Sequence, residues 1–202
     1  MSLKQLSVLS VLACTLSIPS ITSAADLSVR GQIQADGACS ITLGNGGVAD
    51  LGNLSRTEGF SNGSARREIP LTINCQNPTK VGVDVIDNRK GTASIDAPWK
   101  FGLSNPAIGS YLIDATAPLV DGRVGVTIWR NKGENTWGDK GHYLFWGSRK
   151  TASWDMPGPQ SEPVAFKTLT GSLNIIFFPE WDSAFTDEFE LDGSATLELV
   201  YL

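Results

Sequence analysis

A single histidine, His142, lies in the Gly- and Lys-rich stretch KGENTWGDKGHYLFW. Enzymatic work would need a nucleophile, a base and a charge stabiliser held together. Ser148 is the nearest hydroxyl of interest, but six positions along an extended chain is about 20 Å, far beyond hydrogen-bond reach. His142 therefore reads as an exposed or packing side chain. The carboxylate pairs Glu180/Asp182 and Asp187/Glu188 are interleaved with apolar residues, which suits solvated turns better than a glycosidase pair. The acidic run DEFELD (187–192) lacks the Asp-x-Asp-x-Asp-Gly ladder of a calcium loop. Cys39, Cys75 and one histidine do not make a four-ligand zinc site. Asp84, Asp87, Asn88 and Arg89 suit a structural polar network at a strand end. No catalytic activity, metal or cofactor is expected.

Trp129, Trp137, Trp146 and Trp154 crowd one region, with His142 and Tyr143 among them. Two readings compete. Exposed indoles beside polar groups stack on sugars, which makes Trp137 and Trp154 candidate glycan contacts. Indoles also fill sandwich cores, with the N–H finding a partner.

The N-terminus sets the compartment. Lys4 precedes an apolar stretch from Leu6 to Ile18, and Thr22 and Ala24 are spaced as a signal-peptidase site. Residues 1–24 are expected to be a cleaved secretory signal, because the apolar run is too short and too Ser-rich for a membrane span. A lipoprotein box ending at Cys14 is the rival, and Leu12 fits it poorly. Cleavage after Ala24 leaves Cys39 and Cys75 in an oxidising compartment, where a disulfide is the default expectation. The chain carries 16 Lys and Arg against 21 Asp and Glu, a net charge of −5. That balance, with no basic cluster, argues against nucleic-acid binding.

Period-two alternation predicts the elements. REIPLTINC sets Ile69, Leu71, Ile73 and Cys75 on one face; KVGVDVID does so with Val81, Val83 and Val85. GRVGVTIW offers Val124, Val126 and Ile128, and SLNIIFF offers Leu173, Ile175 and Phe177. These are half-buried strands. Asn45-Gly46, Asn62-Gly63, Asp121-Gly122 and Asp192-Gly193 punctuate them as turns. No stretch beyond the signal shows a capped helical stripe. The sum is an all-β antiparallel sandwich in one domain. Residues 44–68 and 130–162 read as long loops, the second around a short strand at 142–146.

The last eight residues, ATLELVYL, alternate Ala195, Leu197, Leu199 and Tyr201 against Thr196, Glu198, Val200 and Leu202. An apolar strand in this position must pair or become an aggregation hazard. Four features stand together: the signal, the strand VRGQIQADGACSI leading into the first cysteine, IPLTINC bringing the second, and the penultimate Tyr201. This set resembles the chaperone–usher pilins of Gram-negative fimbriae. GNGGVADLGNLS, PTKVGVDVIDNRKG, the FGLS…IGSY stretch and LDGSATLELVYL resemble more closely the β-clade fimbriae probable major subunit family, long classed as a domain of unknown function.

The resemblance implies an incomplete immunoglobulin-like sandwich over residues 35–202 that lacks its final strand. Ala195, Leu197, Leu199 and Tyr201 would line the open groove. A periplasmic pilus chaperone would lend a strand there and hold the Leu202 carboxylate. At the outer-membrane usher, the N-terminal arm of another pilin subunit would replace that strand. The arm here, residues 25–34, supplies Leu27, Val29, Gly31 and Ile33. It looks short, since Gly31 also suits the opening of a first body strand. The implied role is a structural subunit, in the periplasm in transit and then in the surface fimbrium. The alternatives are a carbohydrate-binding tip adhesin using the 129–154 region, and a self-complete secreted sandwich.

Overall fold

The computed structural model describes residues 38–202 except 142, 146, 160, 186 and 187. The signal, the arm with Leu27, Val29, Gly31 and Ile33, and the residues His142, Trp146 and Asp187 lie outside the described residues.

Eleven strands are found among the described residues: β1 (Cys39–Leu43), β2 (Ala65–Thr79), β3 (Val81–Asp87), β4 (Gly109–Val120), β5 (Arg123–Val124), β6 (Val126–Asn131), β7 (Gly138–Gly141), β8 (Tyr143–Phe145), β9 (Lys150–Asp155), β10 (Phe166–Pro179) and β11 (Ala195–Tyr201). They form two sheets packed as a sandwich. One runs β1-β2-β10-β4-β5, with β8 also on β4; the other runs β11-β3-β9-β6-β7. The named strand pairings are antiparallel.

Alternation places the core. Ile69, Leu71, Ile73 and Cys75 of β2 are buried, and so are Val81, Val83 and Val85 of β3. All of these but Ile69 join Leu169, Leu173, Phe101, Phe166 and Trp154 in one core cluster. Each such side chain contributes about 1.5–3 kcal/mol when fully buried. Pro70 interrupts no pairing, because its nitrogen faces the side where β1 has already ended at Leu43. Cys39 lies directly opposite Cys75 and is bonded to it, with the Cα atoms 3.9 Å apart. A cross-link over a loop of this length contributes about 2–5 kcal/mol.

Asn45-Gly46, Asn62-Gly63 and Asp121-Gly122 each have positive φ at both residues, as tight reversals of extended chain require. Asp192-Gly193 does not turn. Gly193 instead bridges Leu103 and lies against Tyr111, where an added Cβ would come within 2.7 Å of the ring.

The structure corrects the loop readings. Residues 65–68 already belong to β2. Residues 130–162 contain β7, β8 and the six-residue β9, which is central in its sheet. Val124 does not continue the face of Val126 and Ile128: it is exposed in β5, and the chain passes to the other sheet at Gly125.

The two lateral edges of the sandwich differ. At one, β7 pairs with β6 in one sheet and β8, which follows closely, pairs with β4 in the other. One short segment thus joins both sheets and closes that side. At the opposite edge, β1 and β11 are terminal strands, and no described strand lies between them.

Candidate functional site

The open edge is built by two strands whose pairing phase can be read from single hydrogen bonds. Asn88 N–H donates to Ser194 O at 3.0 Å and Leu202 N–H to Lys80 O at 3.1 Å. These bracket the β3–β11 ladder, so the even-numbered residues of β11 bond to β3. Ala195, Leu197, Leu199 and Tyr201 therefore turn their N–H and C=O groups away from β3. The same logic holds for β1. Gln76 N–H donates to Ala38 O at 3.1 Å, so Cys39, Ile41 and Leu43 turn their backbone groups away from β2.

On both strands these residues are also the ones that point inward. Ala195, Leu197, Leu199, Cys39, Ile41 and Leu43 are half-buried and packed on the core. Two rows of outward backbone groups thus flank apolar side chains that the domain covers only in part. Between them opens a cavity of about 330 Å³, with Leu43, Leu51, Leu103, Ile113, Leu173 and Leu197 in its wall. It continues past Leu51 and Leu191 into an outer groove lined also by Leu54, Ile108 and Phe185. Val48 and Phe189, 58% and 42% exposed, stand beside it.

Both ends of the slot are fixed. At one, Cys39 N–H donates to the Tyr201 hydroxyl oxygen at 2.9 Å. Tyr201 itself is 56% exposed, at the rim and not in the core. At the other, Ser104 N–H donates to Asp192 O at 2.8 Å, and Arg89 pairs with Asp192. Asn88 Nδ2 donates to Ser194 Oγ and Thr196 Oγ1. Asp87 accepts from the backbone N–H of Arg89 at 2.8 Å and of Gly102 at 3.0 Å. The expected polar network is present and positions the entry to β11. Asp84 stands apart, accepting from Thr151 Oγ1 at 2.6 Å with Lys132 at 3.3 Å.

Tyr111 lines the slot floor and stacks on Phe101, with ring centroids 5.3 Å apart. Burial pushes its phenol well above the ordinary 10.0, and Asp87 adds to the effect. The unfolded chain ionises first, so this contribution is complete below about pH 10 and is lost as pH rises toward the folded value. Stability should therefore fall above pH 10 less steeply in Tyr111→Phe than in wild type, measured by urea midpoints.

The tryptophans divide. Trp154 is 1% exposed and meets Phe166 edge-on, with centroids 5.9 Å apart and planes at 84°. It is core, and the reading of Trp154 as a glycan contact does not hold. Trp129 is buried beside it. Trp137 is half-buried, with the Arg130 guanidinium 4.9 Å over its ring, so that face is taken. Ser148 Oγ donates to Pro98 O at 3.4 Å. Among the described residues no group of three or more His, Cys, Asp or Glu is arranged to hold a metal.

Ala195 and Leu197 of β11 stand in the cavity wall with Leu43, Leu51 and Leu191, which sequence reading missed, as it missed Leu54 in the outer groove. Leu51 and Leu54 lie in an irregular segment where no period marks an inward face. Their apolar character within GNGGVADLGNLS was the available signal.

Residues 27–105 are similar to a family described as "Protein of unknown function (DUF1120)". That span runs from the arm through β1, β2 and β3. Neither a curated protein nor a solved structure matches the chain.

Proposed function

We propose that this protein is a structural subunit of a surface fimbria, assembled by the chaperone–usher route through strand exchange. The observation that carries the reading is the slot between β1 and β11. Two sheet edges turn alternate N–H and C=O groups outward over apolar side chains at the same positions, as pairing with a further strand requires. A strand from another molecule would gain main-chain hydrogen bonds from the edges and register from side chains at every second residue. The periplasmic chaperone supplies it first, and the arm of another subunit replaces it at the usher.

Leu27, Val29, Gly31 and Ile33 offer four alternate positions in sequence, the same number as Ala195, Leu197, Leu199 and Tyr201 on β11. Burial of Trp154 and the Arg130 cap on Trp137 weaken the tip-adhesin alternative.

Periplasmic co-expression with a pilus chaperone tests the reading. The wild-type chain should copurify with the chaperone, and Leu197→Arg or Leu199→Arg should reduce recovery more than tenfold, because a charge would be forced into the apolar slot. Arm variants Leu27→Asp/Val29→Asp should keep the chaperone but stop subunit–subunit assembly. A soluble, cooperatively folding wild-type monomer that ignores the chaperone would count decisively against this function.

A further inference from the structure

We propose that Glu198 sets the register of the incoming arm by pairing with Arg30 of a second copy of this chain. The inference rests on the strand-exchange reading and adds to it the residue that decides where along the slot the arm stops.

The first observation is an unanswered charge. Glu198 is exposed at the middle of β11, and it is the one charged residue of the two slot strands, β1 and β11. In the β3–β11 ladder it lies directly opposite Asp84. Side chains directly opposite on one face of a sheet interact, and like charges there repel. Asp84 is held by Lys132 at 3.3 Å and by Thr151 Oγ1 at 2.6 Å. Glu198 has no ion pair among the described residues. A cation arriving on the open side of β11 would offset the repulsion that the fold leaves standing.

The second observation is where the arm carries its cation. In residues 25–34, ADLSVRGQIQ, Arg30 is the only Lys or Arg. It belongs to the polar alternate set with Asp26, Ser28, Gln32 and Gln34, so it turns outward when Leu27, Val29, Gly31 and Ile33 turn into the slot. Arg30 is also the midpoint of that inward set, as Glu198 is the midpoint of Ala195, Leu197, Leu199 and Tyr201. Matching the two sets position for position therefore brings Arg30 beside Glu198, whether the arm runs parallel or antiparallel to β11. A slip of two residues keeps every side chain on its proper face, so alternation alone opposes it weakly. The charges oppose it further, because the slip sets Arg30 against Thr196 or Val200 and leaves Glu198 facing Asp84.

The test uses the full chain with Leu27→Asp/Val29→Asp, to silence its own arm, and a synthetic peptide of residues 25–34. Glu198→Arg in the protein, or Arg30→Glu in the peptide, is expected to weaken binding about fivefold at low salt, the swing from an attracting to a repelling pair. The two reversals together should bind more tightly than either alone, within about twofold of the original. Both losses should shrink as salt is raised to about 0.5 M, where exposed pairs are screened. Glu198→Gln should weaken the peptide without lowering the urea midpoint of the free protein, since it removes one of two facing carboxylates. Three results would each overturn the pairing and leave strand exchange standing: a double reversal no tighter than the single ones, affinities that ignore every charge change, or a lowered midpoint in Glu198→Gln. Failure of the unmodified peptide to bind the protein overturns both.

Discussion

A chain carrying a second copy of residues 25–34 behind Leu202, joined by a short Gly/Ser linker, is expected to be a monomer with a melting temperature about 10 °C higher. β11 ends at Tyr201 beside the slot, so a linker of a few residues lets the graft turn back along that edge. Leu27, Val29 and Ile33 would then enter among Leu43, Leu51, Leu173 and Leu197. Each buried aliphatic side chain contributes about 1.5–3 kcal/mol. Main-chain bonds to both edges add about 1 kcal/mol apiece. Fixing each residue of the graft costs about 1–2 kcal/mol. A net gain of about 3–5 kcal/mol is expected because both edges pair at once. For a domain of this size, 1 kcal/mol moves the midpoint by about 2–4 °C. Calorimetry gives the shift, and size-exclusion chromatography gives the oligomeric state. A graft with Leu27→Asp and Val29→Asp should lose the gain. If the graft and its charged version melt alike, the slot is not a strand site.

Trp154→Ala should destabilise the domain by about 3–5 kcal/mol, the usual cost of removing a buried aromatic. The indole is fully enclosed and in edge contact with Phe166, and Ala152 and Trp129 share its cluster. Trp137→Ala, by contrast, removes a half-buried ring in cation–π contact with Arg130, and should cost less than about 1 kcal/mol. Urea denaturation separates the two. A small effect at Trp154 would contradict its place in the core.

The sandwich itself was legible because β2 buries alternate apolar residues, β3 buries Val81, Val83 and Val85, and β11 half-buries Ala195, Leu197 and Leu199, which writes the period into the sequence. The Asn45-Gly46, Asn62-Gly63 and Asp121-Gly122 pairs were legible as turns for a similar reason: local φ demands are local in sequence. β9 was hidden. It is central, and buried along nearly its whole length, so KTASWD shows no alternation, and its small residues look like loop. The passage at Gly125 was hidden too. An apparent run through Val124, Val126 and Ile128 hides a change of sheet that depends on where β4 and β9 lie. Trp154 illustrates a further limit: indole chemistry is the same in a core and under a sugar, and only the fold decides. Of the cavity wall, Ala195 and Leu197 follow from the alternation of β11. The rest depends on β1 and on the irregular 48–54 segment meeting the approach to β11, contacts between residues far apart in the chain.

The position of the Cys39–Cys75 bond has a mechanical consequence. A strand seated in the slot lies parallel to the axis of β1 and β11, so tension along a row of such domains would shear all its rungs together, not peel them singly. β1, the lesser partner in that load, is only five residues long. Its covalent tie to β2 hands the force to an interior strand that is itself paired with β10 from Ala65 to Thr79. Reducing that bond should leave a resting domain folded longer than one under tension.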